Sequence, residues 1–336
     1  MTTIYDVAAR AGVSPATVSR VFSGAGVKPD KVQAVRTAAR ELGFVPNPNA
    51  RRLRTRSSEL IAMMIPDIEN TFYTTMTKAV EDVARSQGYS IILCSTDDDP
   101  EREASYVKAV VAEQVAGIII APTASAPLSL AEDRGVPVVC VDRTRPGSSA
   151  DSVVTDNRSS ADHATDLLYQ AGYRRVGCLT GRPGIETADE RALGWADRVR
   201  ATAGADPADG LLRREPYTIE GGEAGMRALL ALPTDQRPDA VFAANNKLAI
   251  GALRVLIEQE LMPPAIGVAS LGELPLLTLT PREVVVTHLP ARELGTVAAT
   301  MLLERIRGSV LPPRHIVVPS VTTDDQAALA TIADLR

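Results

Sequence analysis

Between residues 58 and 318, short β-rich runs alternate with helical segments, and that rhythm allows few folds. The runs fall at 60–65, 90–95, 116–121, 136–141, 176–180, 239–244, 266–270, 284–288 and 315–318. The helical segments fall at 71–87, 101–114, 158–171, 188–203, 247–260 and 291–307. Parallel strands need long crossovers and helices supply them, so the alternation predicts a doubly wound parallel sheet with helices on both faces. About ten strands is more than one such sheet usually holds, which argues for two successive α/β subdomains. A length of 336 residues also exceeds one ordinary domain. With 45% hydrophobic and 23% charged residues the composition is globular, and no apolar run is long enough to span a bilayer.

Residues 1–57 break the rhythm. Thr3 can cap a helix starting at Ile4, with Asp6 favourable in its first turn and Gly12 ending it. Ser14 and Pro15 restart a helix, because serine caps well and proline has no N–H to waste at the first helical position. Two short helices joined by a glycine-containing turn read as a helix-turn-helix, an all-α head. At about 100° per residue, Val18, Val21 and Phe22 face the first helix. Ala16 and Arg20 point away, flanked by Thr17 and Ser19. Small side chains permit close approach to a DNA groove, hydroxyls meet phosphates, and arginine suits a guanine edge. The plainer reading of this face is a solvated helix. A third helix is predicted over "PDKVQAVRTAARELG", stopped at Gly43. In "FVPNPNARRLRTRSS", Asn47 can cap and Pro48 can start one or two turns with four arginines nearby and no apolar face. So short a helix needs something to order it, and a polyanion is the natural candidate.

Charge points the same way. Residues 1–57 hold ten Lys and Arg against three acids, a net +7. The remainder holds 26 basic against 38 acidic residues, a net −12. A basic head on an acidic body suits a protein whose head meets a polyanion while its body stays soluble.

"TIYDVAARAGVSPATVSRVFSG" followed by "GFVPNPNARRL" resembles the DNA-binding head and hinge helix of the lactose-repressor/galactose-repressor family of bacterial transcription regulators. The likeness covers the head without gaps. It implies a homodimer on a palindromic double-stranded DNA operator, with each recognition helix in a major groove. The matching recognition positions are Pro15, Ala16 and Arg20, and Asn47, Ala50 and Arg51 match the hinge. Leu53 matches the family's minor-groove wedge, and an apolar wedge among cations is how such proteins kink DNA. Thr3, Tyr5, Ser14, Thr17, Ser19 and Arg54 complete the candidate DNA-binding set.

Residues 58–325 resemble the periplasmic-binding-protein-like core that carries the effector in the same family. The resemblance implies a helix-turn-helix domain at 1–46, a hinge at 47–57 and an effector core at 58–336. The core would divide into an N-subdomain (about 58–157 and 288–318) and a C-subdomain (about 158–287 and 319–330), with crossings near 157, 288 and 319. Ligands of such folds sit outside the carboxyl ends of the strands. The candidates there are Phe72 and Tyr73 as platforms, and Asp142 with Arg143, a pair that resembles the pentose-binding members. Arg191, Trp195 a turn later, Tyr217, Asn245 and His288 join them. Arg143 also reads as a surface ion pair, and Trp195 as core packing.

Two positions depart from the family pattern. Asn245-Asn246 stands where Asn-Asp is usual, and "SLGE" at 270–273 stands for "GFDD", so Gly272 replaces an aspartate that accepts sugar hydroxyls. The expected effector is a sugar or sugar derivative, and the loss, which should leave Arg143 and Arg191 with fewer acidic neighbours, extends the expectation to an anionic one such as a sugar phosphate or a carboxylate. A cleft that answers to a protein partner is the alternative.

No glycine-rich phosphate loop, nucleophile elbow or strand-end acid pair occurs, so an enzyme is not expected, and neither is a cofactor. Cys94, Cys140 and Cys178 lie in apolar runs without a CxxC pair, and the three histidines lack metal-ligand spacing. The start "MTTIYDVAAR" lacks a secretory layout, so the expected location is the cytoplasm. A solute-binding transport component would share the body but has no use for the basic head. In the closing "DQAALATIADLR", Leu329, Ile332 and Leu335 suggest one short helix, which predicts a dimer rather than a coiled-coil tetramer.

Overall fold

The computed structural model describes residues 2–22, 26–44, 58–204, 206–208, 210–274 and 284–322. The chain separates into two compact units, Met1–Ser58 and Glu59–Arg336.

In the first unit, α1 (Ile4–Ala11), α2 (Pro15–Phe22) and α3 (Pro29–Glu41) enclose a small core of Val7, Ala8, Val18, Val21, Val35, Ala38 and Ala39. Thr3 closes a capping box with Asp6, and Gly12 ends α1 in the left-handed region at φ 64°. The Ser14 hydroxyl accepts from the Thr17 amide at 3.2 Å and so caps α2. Phe22 and Phe44 pack 5.9 Å apart, tying α2 to the end of α3.

The second unit holds two six-stranded sheets. The first contains β1 (Leu60–Ile65), β2 (Ser90–Ser95), β3 (Gly117–Ile120), β4 (Val138–Val141), β5 (Asp151–Thr155) and β11 (His315–Val318) in the order β11-β5-β4-β3-β1-β2. The second contains β6 (Val176–Thr180), β7 (Leu212–Arg214), β8 (Ala240–Ala243), β9 (Gly267–Leu271), β10 (Val284–His288) and β12 (Val321–Thr322) in the order β12-β10-β9-β8-β6-β7. Every pairing is parallel except β10 with β12. Continuous apolar strands such as LIAMMI follow from burial on both faces. Ile61, Met63 and Ile65 enter one core cluster, while Ala62 and Met64 enter the cluster on the opposite face.

Helices α4 (Thr71–Ser86), α5 (Pro100–Ala112) and the short α6 (Ser129–Glu132) belong to the first sheet, with α11 (Ala291–Ile306) packed against α4. Helices α7 (Asn157–Gln170), α8 (Glu186–Ala203), α9 (Ile219–Leu230) and α10 (Asn246–Glu258) belong to the second. The chain therefore passes between the two halves after β5, after β10 and between β11 and β12, where only residues 319 and 320 intervene.

Several elements carry no clear sequence signal. β5 reads as polar, yet all five of its residues are buried. Its Asp151 carboxylate takes hydrogen bonds from Arg305 at 2.9 and 2.8 Å and from the Arg314 amide at 2.8 Å, joining β5, α11 and β11. α9 contains three glycines, which lower helix propensity. A Cβ at Gly222 would strike the Leu248 carbonyl, and one at Gly251 the Ile219 carbonyl, so α9 and α10 approach too closely for any other residue. The closing positions Leu329, Ile332 and Leu335 and the hinge candidates Asn47, Ala50, Arg51, Leu53 and Arg54 lie outside the described residues. Among the described residues no helix is long and apolar enough to cross a membrane, and no cluster could hold a metal ion.

The Asp151 cluster generates a prediction. Burial alone would raise this carboxyl, but the hydrogen bonds from Arg305 and Arg314 outweigh it, and the net shift is downward. A depressed folded pKa stabilises above the unfolded carboxylate value of about 4 and ceases to do so as pH falls through the folded value. Asp151→Asn should cost about 3 kcal/mol in urea unfolding at pH 7. The difference from wild type should shrink as the pH is lowered below about 4.

Candidate functional site

Both sheets present their carboxyl ends to one cleft, and a cavity of about 510 Å³ lies there. The first half contributes the turns after β1 (Pro66 to Asn70, then Phe72 and Tyr73 on α4), after β2 (Ser95, Asp97, Asp98) and after β4 (Asp142, Arg143). The second contributes Arg182, Ile185, Thr187 and Arg191 after β6, then Pro216–Thr218 after β7. Asn245–Lys247 after β8, Leu271 and Gly272 at the end of β9, and Leu289 complete it. In each sheet the strand order reverses next to β1 or β6, the topological switch point where α/β sheets place ligands.

Arg143 is the centre of the first wall. Its side chain is 3% exposed and receives Asp98 through two contacts, 2.5 and 3.4 Å. Asp142 lies 3.6 Å from its Nε, and the Tyr73 hydroxyl donates to Asp142 at 2.8 Å. Burial works against the guanidinium charge, but the Tyr73, Asp98 and Asp142 oxygens outweigh it, and Arg143 stays firmly protonated. Burial, then the Asp142 charge, pushes the Tyr73 phenol well above its usual range, so it remains a donor. Asp97, Asp98 and Asp142 all sit at positive φ (55°, 53° and 66°), a conformation that costs non-glycine residues energy and clusters at functional sites. Arg143 Nε and the Tyr217 hydroxyl are buried without hydrogen-bond partners, another cost concentrated in this cleft.

The expected shortage of acidic neighbours does not hold for Arg143, whereas Arg191 is met by an amide oxygen and a carbonyl rather than a carboxylate. Arg143 is already met by Asp98 and Asp142. Lys247 reaches Asp67 at 2.5 Å. Arg191 donates to Asn157 Oδ1 at 2.8 Å and to the Ala244 carbonyl at 2.7 Å. With Arg102, which pairs with Asp97, the five carboxylates of Asp67, Glu69, Asp97, Asp98 and Asp142 are matched by the five cations Arg102, Arg143, Arg182, Arg191 and Lys247, so the cavity has no net pull on an anion.

The structure brings Phe72, Tyr73, Asp142, Arg143, Arg191, Tyr217, Asn245 and Gly272 together on this cavity. It does not bring Trp195 there. The indole is 2% exposed and donates to the Val176 carbonyl at 3.1 Å, at the start of β6. Nine residues into α8, it lies about 13 Å along the helix axis from the cleft end, inside the core with Phe242. His288 also stays out: its ring stands 3.4 Å from Glu273, and Leu289 lines the cavity instead. The neighbouring Thr287 is buried against Thr322, 3.1 Å away, and strand alternation turns His288 to the opposite face.

The two departures acquire physical reasons. Asn246 donates to Asn70 Oδ1 across the cleft at 3.3 Å, a contact an aspartate could not make. Gly272 sits at φ 96°, where any Cβ is strained. Sequence reading missed Asp98, Asn70, Lys247 and Glu103. The last is fully buried on α5 and accepts from the Thr123 amide at 2.9 Å and hydroxyl at 2.6 Å. Burial raises its pKa, and the Thr123 hydrogen bonds only partly offset this. The DDD in "STDDDP" was the available signal for Asp98, but only the fold selects one of the three.

On the helical unit, Val18 and Val21 are buried while Ser14, Ala16 and Arg20 are exposed and Pro15, Thr17 and Ser19 are half-buried. α2 therefore turns its apolar side inward and its small, hydroxyl-bearing side outward. Tyr5 on α1 is 70% exposed, and Thr3 is exposed at the same helix start. An exposed aromatic on a small basic unit is a candidate for stacking or phosphate contact.

A family model described as the bacterial regulatory proteins of the lacI family matches residues 3–47. A second, described as periplasmic binding proteins and the sugar binding domain of the LacI family, matches residues 58–327. The chain is 30% identical over 322 residues to the ribose operon repressor of Halalkalibacterium halodurans, covering 95% of each protein. It is 29% identical over 315 residues to the transcriptional repressor CytR of Escherichia coli K12, covering 91% of this chain and 90% of that one. Among solved structures it resembles the transcriptional regulator CelR–cellobiose complex, with 26% identity, a TM-score of 0.71, and 96% and 98% of the two chains covered.

The buried ion pair is open to test. Asp98→Asn keeps a residue that tolerates positive φ but removes the charge opposite Arg143. It should cost about 2–4 kcal/mol in chemical unfolding. Asp97→Asn, beside the exposed Arg102, should stay within about 0.5 kcal/mol of wild type.

Proposed function

Since the chain belongs to the lacI family of bacterial regulatory proteins, a DNA-binding regulator controlled by a small ligand, we propose that it acts as a cytoplasmic homodimeric repressor. Its operator is palindromic, because two heads related by a dyad read two half-sites. Its effector is a neutral, hydroxyl-rich sugar or sugar derivative held in the cleft. The single observation that carries this reading is the 510 Å³ cavity whose walls come from both halves of the core. A ligand there touches both halves, so it binds one inter-subdomain angle better than another, and that difference is the switch. The names of the ribose operon repressor and of the CelR–cellobiose complex support a sugar. The balance of carboxylates and cations in the cavity supports a neutral one over a phosphate. A cavity of this size also argues against a cleft given over to a protein partner.

On DNA, Thr3, Tyr5, Ser14 and Ser19 serve phosphates, and Pro15, Ala16, Thr17 and Arg20 meet base edges. Asn47, Ala50, Arg51 and Arg54 serve the minor groove, with Leu53 as the wedge. In the cleft, Asp142, Arg143, Arg191 and Asn245 hold hydroxyls, and Phe72, Tyr73 and Tyr217 provide the platforms.

Fluorescence anisotropy on the DNA upstream of the protein's own gene tests the DNA half. Binding should weaken steeply with salt. Leu53→Ala should lose about tenfold or more in operator affinity while effector-induced thermal stabilisation is unchanged. Unaltered DNA affinity would rule out the wedge. Arg191→Ala should abolish the ligand response and spare DNA binding; a normal response would place the effector elsewhere.

A further inference from the structure

A second cavity, of about 300 Å³, adjoins the first. Asp98 and Arg143 from one half of the core, with Arg182 and Ile185 from the other, line both. The second extends the cleft past the Asp98–Arg143 pair toward the turn after β3. Its character differs from the first. Pro122, Ala124, Pro146, Pro183 and Ile185 make its apolar surface, and prolines keep that surface stiff.

Both walls are held in place. The buried Glu103 fixes Thr123 on the first wall, by the two hydrogen bonds already given. Across the gap, Glu186 accepts from the Thr144 amide at 2.5 Å and from its hydroxyl at 2.9 and 3.0 Å, clasping one half to the other. The carboxylates of this cavity are engaged: Asp98 by Arg143, Glu186 by Thr144, and Asp189 by Arg214 at 2.8 Å and the Gly184 amide at 2.9 Å. These three carboxylates, Asp98, Glu186 and Asp189, stand beside three guanidinium groups, those of Arg143, Arg182 and Arg214, so the cavity has no net pull on either sign of charge. Stiff apolar walls with no net attraction for charge suit an uncharged ring.

We propose that the second cavity is a subsite for the second ring of a neutral two-ring glycoside whose sugar ring occupies the first cavity. This rests on the sugar reading above and adds the part of the ligand beyond that sugar. Because the second cavity also draws on both halves of the core, a ring there increases the ligand's preference for the closed cleft, so a two-ring ligand switches the protein further than its sugar alone. A nucleoside and a disaccharide share this chemistry, and the test separates them.

Titration calorimetry on the full-length protein, with D-ribose against uridine and D-glucose against cellobiose, reads each sugar with and without its second ring. One two-ring probe should bind at least about tenfold more tightly than its fragment. Ala124→Phe, at an exposed position lining the second cavity, should erase that gain and leave the fragment's affinity unchanged; Pro146→Trp, at a second exposed position lining it, should do the same. Uridine as the favoured probe identifies a nucleoside, and cellobiose a disaccharide. A fragment that binds as tightly as its two-ring parent, or a parent indifferent to both substitutions, overturns the second subsite and leaves the sugar reading standing. No binding by any of the four probes overturns both.

Discussion

A parallel sheet puts every strand's carboxyl end on one edge, and that constraint organises the core. Two such sheets face each other edge to edge, and the chain passes between them three times. Each turn that leaves a strand must therefore enter the space between the halves. Side chains as distant in sequence as Asn70 and Asn246 meet there at 3.3 Å because both follow strands beside a switch point. The cleft is a consequence of topology before it is a consequence of any particular residue.

What the cleft can hold is decided by charge. An arginine 3% exposed must be neutralised by close partners, since a lone buried charge is among the most costly features a fold can carry. Asp98, Asp142 and Tyr73 meet that need around Arg143, and three left-handed aspartates are the local strain that accompanies it. Once neutralised, Arg143 still offers directed N–H groups but no net pull on an anion.

The two units divide the work by charge as well. The basic helical unit is suited to a polyanion through counterion release, and it exposes the small, hydroxyl-bearing face of α2. The acidic core carries the opposite sign of charge and the sugar-binding-domain fold of the family. Cross-cleft contacts such as Lys247 with Asp67 and Thr144 with Glu186 connect the halves.

Much of this was legible in the chain. Periodicity alone marks α1 to α3, nine of the strands and most of the long helices, because apolar spacing reports which face is buried. The charge split and the motifs of the first 57 residues identify a DNA-facing unit, and strand ends mark the region of the cleft. Tertiary structure decided the rest. β5 and α9 look wrong for their states until Asp151 meets two arginines and the glycines meet a neighbouring helix. Trp195 shares a helix with Arg191, but distance along the axis buries one in the core and leaves the other at the cavity. Arg143 looked uncompensated because its chief partner, Asp98, is 45 residues away and one of three consecutive aspartates. Sequence specifies which surfaces each segment must bury; pairings between distant charges exist only once the sheets have set their register.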